Sequence, residues 1–411
     1  MVTFPQAPFL WSRAAADDLA RGLLTPLTWS ILSQSAERAL RSHYAAWGVA
    51  LPHDLPIWRR IAGRAYLNTG ALTTADQAVA ADEVDAGSGW RLFGRAPDRR
   101  QKEVLQRQLQ QAVPVFAATR SWQQGVATMS WRQATLLQVM EEIEPRSEAV
   151  LTVRDYLMTG LGSARRQLTR RLAEWLPQSH HELFDALFAG VDGREGWAQY
   201  RFDMQMLVQA ARQNTAVAAY LAAGDWSAPL PDAGFRQRFE DFVAAYACWA
   251  DQPLEAASPR WAEAPATLLQ RLAARLQEPA EAMLISPVAA AQQRAETAAR
   301  ISAELGSKRG RQFMAEFESL QQSVQLLPPS REALVMVMAA ARLWALGAAQ
   351  EAVQDGRLTA PDEVFLLQLE ELKQMMTGEL HDAAQVQALV VERRAQQAAW
   401  QRREPDEVIL E

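Results

Sequence analysis

Helical spacing is the feature that most limits what this chain can fold into. Leu268, Leu269, Leu272 and Leu276 recur at i, i+1, i+4 and i+8, with Arg271, Arg275 and Gln277 off that face, which is the pattern of an amphipathic helix. The same spacing predicts helices over Ser35–Trp47, Arg100–Val113, Trp131–Ile143, Arg165–Leu176, Trp197–Gln213, Val288–Leu305, Gly310–Gln325 and Ala383–Gln401. Pro328-Pro329 predicts a break, with Ser330 as the N-cap of a helix running to about Gln354, where Asp355-Gly356 marks a stop. Pro361 followed by Asp362 and Glu363 predicts a fresh start. Two-residue alternation is nearly absent, and the best strand candidate, Gly63 to Leu67, is short. Composition agrees: 75 Ala, with 39 Arg against three Lys, favour helix. The expected fold class is all-α, a large multi-helix single domain with room for two lobes and few or no strands.

A net charge of −6, with Arg dispersed among acids, predicts no nucleic-acid binding. Cys248 is the one cysteine, so no intrachain disulfide and no cysteine-based zinc site can form. Met1 to Leu10 shows no export signal. The longest apolar run, Ala333 to Ala349, holds Arg342 and is shorter than the ~20 residues of a membrane span. It reads as a buried helix, and the chain as cytoplasmic with no membrane partner.

Familiar reaction motifs are missing. Gly87-Ser88-Gly89 with Gly94 has the wrong spacing for a dinucleotide loop, and a surface loop is the reading taken. Ser307-Lys308-Arg309-Gly310-Arg311 reads as a helix–helix turn. His180-His181 cannot share a metal from adjacent helical positions, so no metal site is expected. Cys248 sits in an apolar run and reads as a buried thiol rather than a nucleophile.

Several segments, in order, resemble one family. Leu24-Thr25-Pro26-Leu27-Thr28-Trp29-Ser30 is similar to the opening of the helical central domain of the phosphoenolpyruvate-utilising enzymes, the phosphoenolpyruvate synthase and rifampicin phosphotransferase-like group. Gly63-Arg64-Ala65-Tyr66-Leu67-Asn68 resembles its Gly-Arg-x-Tyr-x-Asn element, and Ser258-Pro259-Arg260-Trp261 its Pro-Arg-Trp step. Arg331-Glu332, Arg342, Gly356-Arg357-Leu358, Pro361 to Leu366 and Glu370-Glu371-Leu372 resemble its C-terminal helical segment. The resemblance implies a lead-in over 1–23, a helical acceptor-binding-like domain over 24–395, and a tail over 396–411 where a phosphohistidine domain would usually begin.

In that family an ATP-grasp domain phosphorylates a mobile histidine domain, which carries the phosphoryl group to an acceptor. Neither domain is recognisable here. One loop also departs from the family: Tyr246 matches its Tyr, but Ala247, Cys248, Trp249 and Ala250 stand where Gly-His-Arg-Gly is usual, with Pro253 and Glu255 at its acidic positions. General acid–base groups are largely gone from it.

The resemblance therefore implies the acceptor-binding subunit of a split phosphotransferase, with ATP and Mg²⁺ handled by separate ATP-grasp and phosphohistidine-domain proteins and no cofactor bound here. The alternative is a non-catalytic small-molecule-binding or scaffold protein derived from that domain. No catalytic residue is assigned. Candidates for acceptor contact are Trp29, Arg64, Tyr66, Asn68, Tyr246, Trp249, Arg260 and Trp261. Each has a structural alternative, since arginines beside aromatics tie helix ends and tryptophans fill cores.

Overall fold

A computed structural model describes residues 4, 9–20, 22–88, 97–177, 180–191, 195–279 and 282–411. The Gly89 and Gly94 part of the glycine loop, and the side chains of His180 and His181, lie outside what is described. In chain order the elements are β1 (Leu10–Ser12), α1 (Pro26–Ala46), β2 (Trp58–Ile61), β3 (Arg64–Asn68), α2 (Thr69–Ser88), α3 (Pro97–Ala127), α4 (Gln133–Trp175), α5 (His180–Leu187), α6 (Ala198–Gln213) and α7 (Thr215–Ala223). There follow α8 (Ala233–Ala245), α9 (Pro265–Gln277), α10 (Pro287–Gln354), α11 (Leu369–Thr377), α12 (Ala383–Gln401) and β4 (Val408–Leu410). The protein is mostly α-helical, with one small antiparallel sheet.

Contacts divide the chain into two units. The first comprises 1–156, 252–258 and 333–411, and the second 157–251 and 259–332.

In the first unit, the sheet order is β2-β3-β1-β4. Strand β3 falls where the sequence predicts one. Ala62 and Gly63 both take positive φ (46° and 77°), the two-residue turn whose twist suits a hairpin. A Cβ on Gly63 would stand 2.5 Å from Leu23 and 2.7 Å from Trp400, so only glycine fits. Strands β1 and β4 pair Trp11 with Ile409.

Helix α1 starts at Pro26, earlier than the predicted Ser35, because Thr25 caps it and proline suits its first turn. Buried Glu255 accepts from the Thr25 backbone N–H (2.9 Å) and from the hydroxyls of Thr25 and Thr28 (both 2.7 Å). A carboxylate at a helix N-terminus also meets the positive end of the helix dipole. Arg342 donates to the carbonyls of Ala256 (3.1 Å) and Ala257 (3.0 Å). The one charge in the Ala333–Ala349 run thus holds the 252–258 segment. The most apolar 18-residue window of α10 is 83 % buried, as a core helix should be.

Three predicted helix ends are corrected. The predicted stops at Val113, Ile143 and Gln325 each precede a proline, yet Pro114 lies inside α3, Pro145 inside α4, and Pro328 and Pro329 inside α10. Ser330 is not an N-cap; its hydroxyl donates to the Leu327 carbonyl at 2.7 Å within the helix. Proline costs an interior helix about 3 kcal/mol, and burial on both sides of Pro328-Pro329, at Leu327, Ser330 and Arg331, offsets it. The real interruption of α10 is Gly306 (φ 72°, ψ 179°), close to the predicted 307–311 turn. A Cβ on Gly310 would come within 2.5 Å of the Ser302 carbonyl oxygen.

Candidate functional site

The sequence candidates fall in different units. Trp29, Arg64, Tyr66 and Asn68 belong to the first, where each has a partner. Trp29 packs on Ala16, Ala20, Leu24 and Ala65. Arg64 donates to the Arg403 carbonyl at 2.9 Å and pairs with Glu404 at 3.0 Å. The Tyr66 hydroxyl donates to the Asp406 carbonyl. Asn68 donates to the Pro56 carbonyl (3.0 Å) and accepts from the Ala71 N–H (3.1 Å). These bonds tie β3 to its surroundings.

That unit also holds a cavity of about 620 Å³, lined by Arg38, Glu144, Glu148 and Lys373, and by none of the four candidates. Four of its charged groups pair, with Arg38 meeting Glu148 at 2.7 Å and Glu144 at 3.2 Å and Lys373 meeting Glu144 at 2.6 Å, while Glu141 also lines it. Burial acts to raise the Glu144 carboxyl, but the hydrogen bonds from Lys373 and Arg38 outweigh it and hold it below the usual range.

In the second unit the candidates converge. Helix α8 ends at Tyr246, and the following turn brings Trp249 back onto it, its N–H donating to the Tyr246 carbonyl at 2.9 Å. The Trp261 N–H donates to the Trp249 carbonyl at 2.7 Å, so the Pro-Arg-Trp segment is pinned to this turn. Helix α6 supplies a residue that sequence reasoning missed, Tyr200. Its ring stacks on Trp249 with centroids 4.5 Å apart and planes 16° from parallel. Tyr246 stands edge-on to both (5.2 and 5.5 Å), and Trp197 edge-on to Trp249 (5.5 Å). Arg331 lies 4.3 Å over Trp197. Such edge and offset contacts are each worth about 0.5–1.5 kcal/mol beyond burial.

Tyr200 faces a second cavity, of about 120 Å³, which it lines with Met204 and Val208 one and two turns further along α6. Leu284 forms another part of the wall, fixed because Gln205 accepts from the Leu284 N–H (2.8 Å) and donates to the Ala282 carbonyl (2.9 Å). Arg201, Arg212, Arg271 and Arg275 complete the polar side. Arg212 donates to the carbonyls of Arg275 (2.9 Å) and Glu278 (2.7 Å), capping the end of α9. Trp249 (5 % exposed), Trp261 (0 %) and Arg260 (2 %) are buried. Trp249 backs the Tyr200 side of the cavity, and neither tryptophan nor Arg260 lines it.

The electrostatics suit binding more than proton transfer. Burial, opposed by Arg271, pushes the Tyr200 phenol up to about 12. Burial and the 2.6 Å hydrogen bond to Asp203 raise Tyr246 further. Burial also raises the Cys248 thiol, against the pull of Arg260. All three stay protonated near neutrality. The signal for Tyr200 and Asp203 lay on α6 at i and i+3, but nothing in the sequence shows which helix faces the 246–249 turn.

Residues 152–332 match the family model of the rifampicin phosphotransferase fourth domain. The chain carries a domain similar to it. The matched segment has nearly the limits of the second unit and includes every residue of the Tyr200 cavity. The relation is thus to a phosphotransferase family, as the short motifs imply. No curated protein matches the chain.

Proposed function

We propose that this chain is the acceptor-binding component of an ATP-dependent phosphotransferase system, with the Tyr200 cavity as the acceptor site. In this reading separate ATP-grasp and phosphohistidine-domain proteins handle ATP and Mg²⁺ and deliver the phosphoryl group. One observation carries it: a cavity lined by Tyr200, whose ring is backed by the stacked Trp249, lies within the segment similar to the rifampicin phosphotransferase fourth domain. A cavity of about 120 Å³ is smaller than the 300–1,000 Å³ typical of drug-sized ligands. A cavity of roughly 150 Å³ takes benzene, so the acceptor, or the part of it held here, is about one ring in size. A ring fits an aromatic wall, and a hydroxyl on it would be the oxygen phosphorylated.

The test is reconstitution. Purified chain, an ATP-grasp protein, a phosphohistidine-domain protein, ATP, Mg²⁺ and phenol are combined, and phenyl phosphate is followed by phosphorus NMR. The reading expects product only when this chain is present. Equal product without it contradicts the acceptor role. A second reading, a non-catalytic binding protein, is favoured by the apolar 247–250 turn and the protonated Tyr246 and Cys248 beside it. Phenol binding without any transfer would support it.

A further inference from the structure

We infer that the Tyr200 cavity takes a ligand carrying an oxyanion, a carboxylate or a phosphate ester, on a ring-sized body. This rests on the reading above in taking the cavity as the ligand site, and adds the charge class of the ligand. Four arginines line a space of about 120 Å³, Arg201 and Arg212 from α6 and Arg271 and Arg275 from α9. Glu278 is the one carboxylate among the lining residues. Counting also Asp251, which meets Arg271 at 3.3 Å, the charge around the space is net positive. Arg271 and Arg275 are four residues apart on one helix, a like-charge spacing that destabilises a helix unless something between them is negative.

The Arg275–Glu278 pair (2.8 Å) and the Arg271–Asp251 pair have carboxylate side chains 49 % and 52 % exposed, and exposed pairs are worth about 0–1 kcal/mol. A ligand oxyanion inside the cavity would be less screened. It would also meet the planar donor fork of arginine, which matches carboxylate and phosphate bidentately. Arg212 supports the arrangement by fixing the α9 end that carries Arg275. The cavity is therefore amphipathic: Tyr200, Met204, Val208 and Leu284 for the ring, arginines for the charge.

Isothermal titration with phenol, benzoate and phenyl phosphate tests this in low and high salt. The expected result is that at least one of the two anions binds ten-fold or more tighter than phenol, and that 0.5 M salt removes most of the difference. Whichever of benzoate and phenyl phosphate binds tighter identifies the head group. Arg271→Gln with Arg275→Gln should weaken the anion at least ten-fold, change phenol less than two-fold, and leave the thermal midpoint in place. If that double variant fails to fold, Arg275→Lys replaces it, keeping charge and losing the fork, with a loss of three-fold or more expected. Equal binding of phenol and both anions overturns the inference and leaves the acceptor site standing. Anion binding unchanged in the folded variant also overturns it. Absence of binding by all three compounds overturns both.

Discussion

Glu255 carries more of the first unit than its single letter suggests. Buried at 7 % exposure, it accepts from Thr25, Thr28 and the Ala257 N–H (2.8 Å), which joins the start of α1 to the 252–258 segment. Charge-assisted bonds of this kind contribute roughly 1.5–3 kcal/mol each and leave orphaned donors when lost. Glu255→Gln should therefore cost about 2–4 kcal/mol in urea denaturation, and a change below about 0.5 kcal/mol would show that the hub is not structural. Gly63 is a second such position. Gly63→Ala forces a positive φ and meets Leu23 and Trp400, so about 2–4 kcal/mol should be lost.

His43 gives a pH signature. Burial pushes its imidazole down to about 4, and its Nε2 accepts from the Trp47 indole N–H at 3.1 Å. The unfolded chain, with the ordinary value near 6.5, takes up the proton first as pH falls. This contribution is therefore full above about 6.5 and is lost on acidification towards 4. Between pH 7 and 4.5 the stability difference between wild type and His43→Gln should shrink by about 2 kcal/mol. A constant difference would mean that His43 titrates normally in the folded protein.

At the scale of elements, proline separates what the sequence displays from what it hides. Leu268, Leu269 and Leu272 are buried on α9 as their spacing predicts, and α6, α12 and β3 lie close to their predicted ranges. Helices α3, α4 and α10 were legible only as pieces broken at a proline, because the local cost of a missing N–H is visible in sequence and the offsetting tertiary burial is not. Strands β1 and β4 are three residues each and pair across nearly the full chain, too short for any alternation to register. Pro145 offers a direct check. Without its N–H the Glu141 carbonyl lacks its intrahelical donor, so Pro145→Ala should raise stability by about 1–2 kcal/mol. Thermal or urea unfolding reads it, and destabilisation would mean the helix is built around the proline.

At the scale of the whole molecule, only part of the candidate site was legible. Tyr246, Trp249 and Trp261 were singled out from a family-like loop, and they gather in the second unit behind a cavity. The residues that line it, Tyr200 and the four arginines, come from helices whose sequences read as ordinary amphipathic surface. Only the packing of α6 against the 246–249 turn and α9 brings them to one cavity. The first-unit candidates, by contrast, are each engaged in holding β3 and its neighbours.

The central claim is that the Tyr200 cavity is where this protein holds a ligand. Calorimetric titration of phenol into wild type and Tyr200→Ala tests it most directly, with folding of the variant checked by circular dichroism. Losing the stacked ring should weaken binding ten-fold or more, since a buried aromatic face contributes about 1.5–3 kcal/mol. Binding to the folded variant within two-fold of wild type would contradict the account.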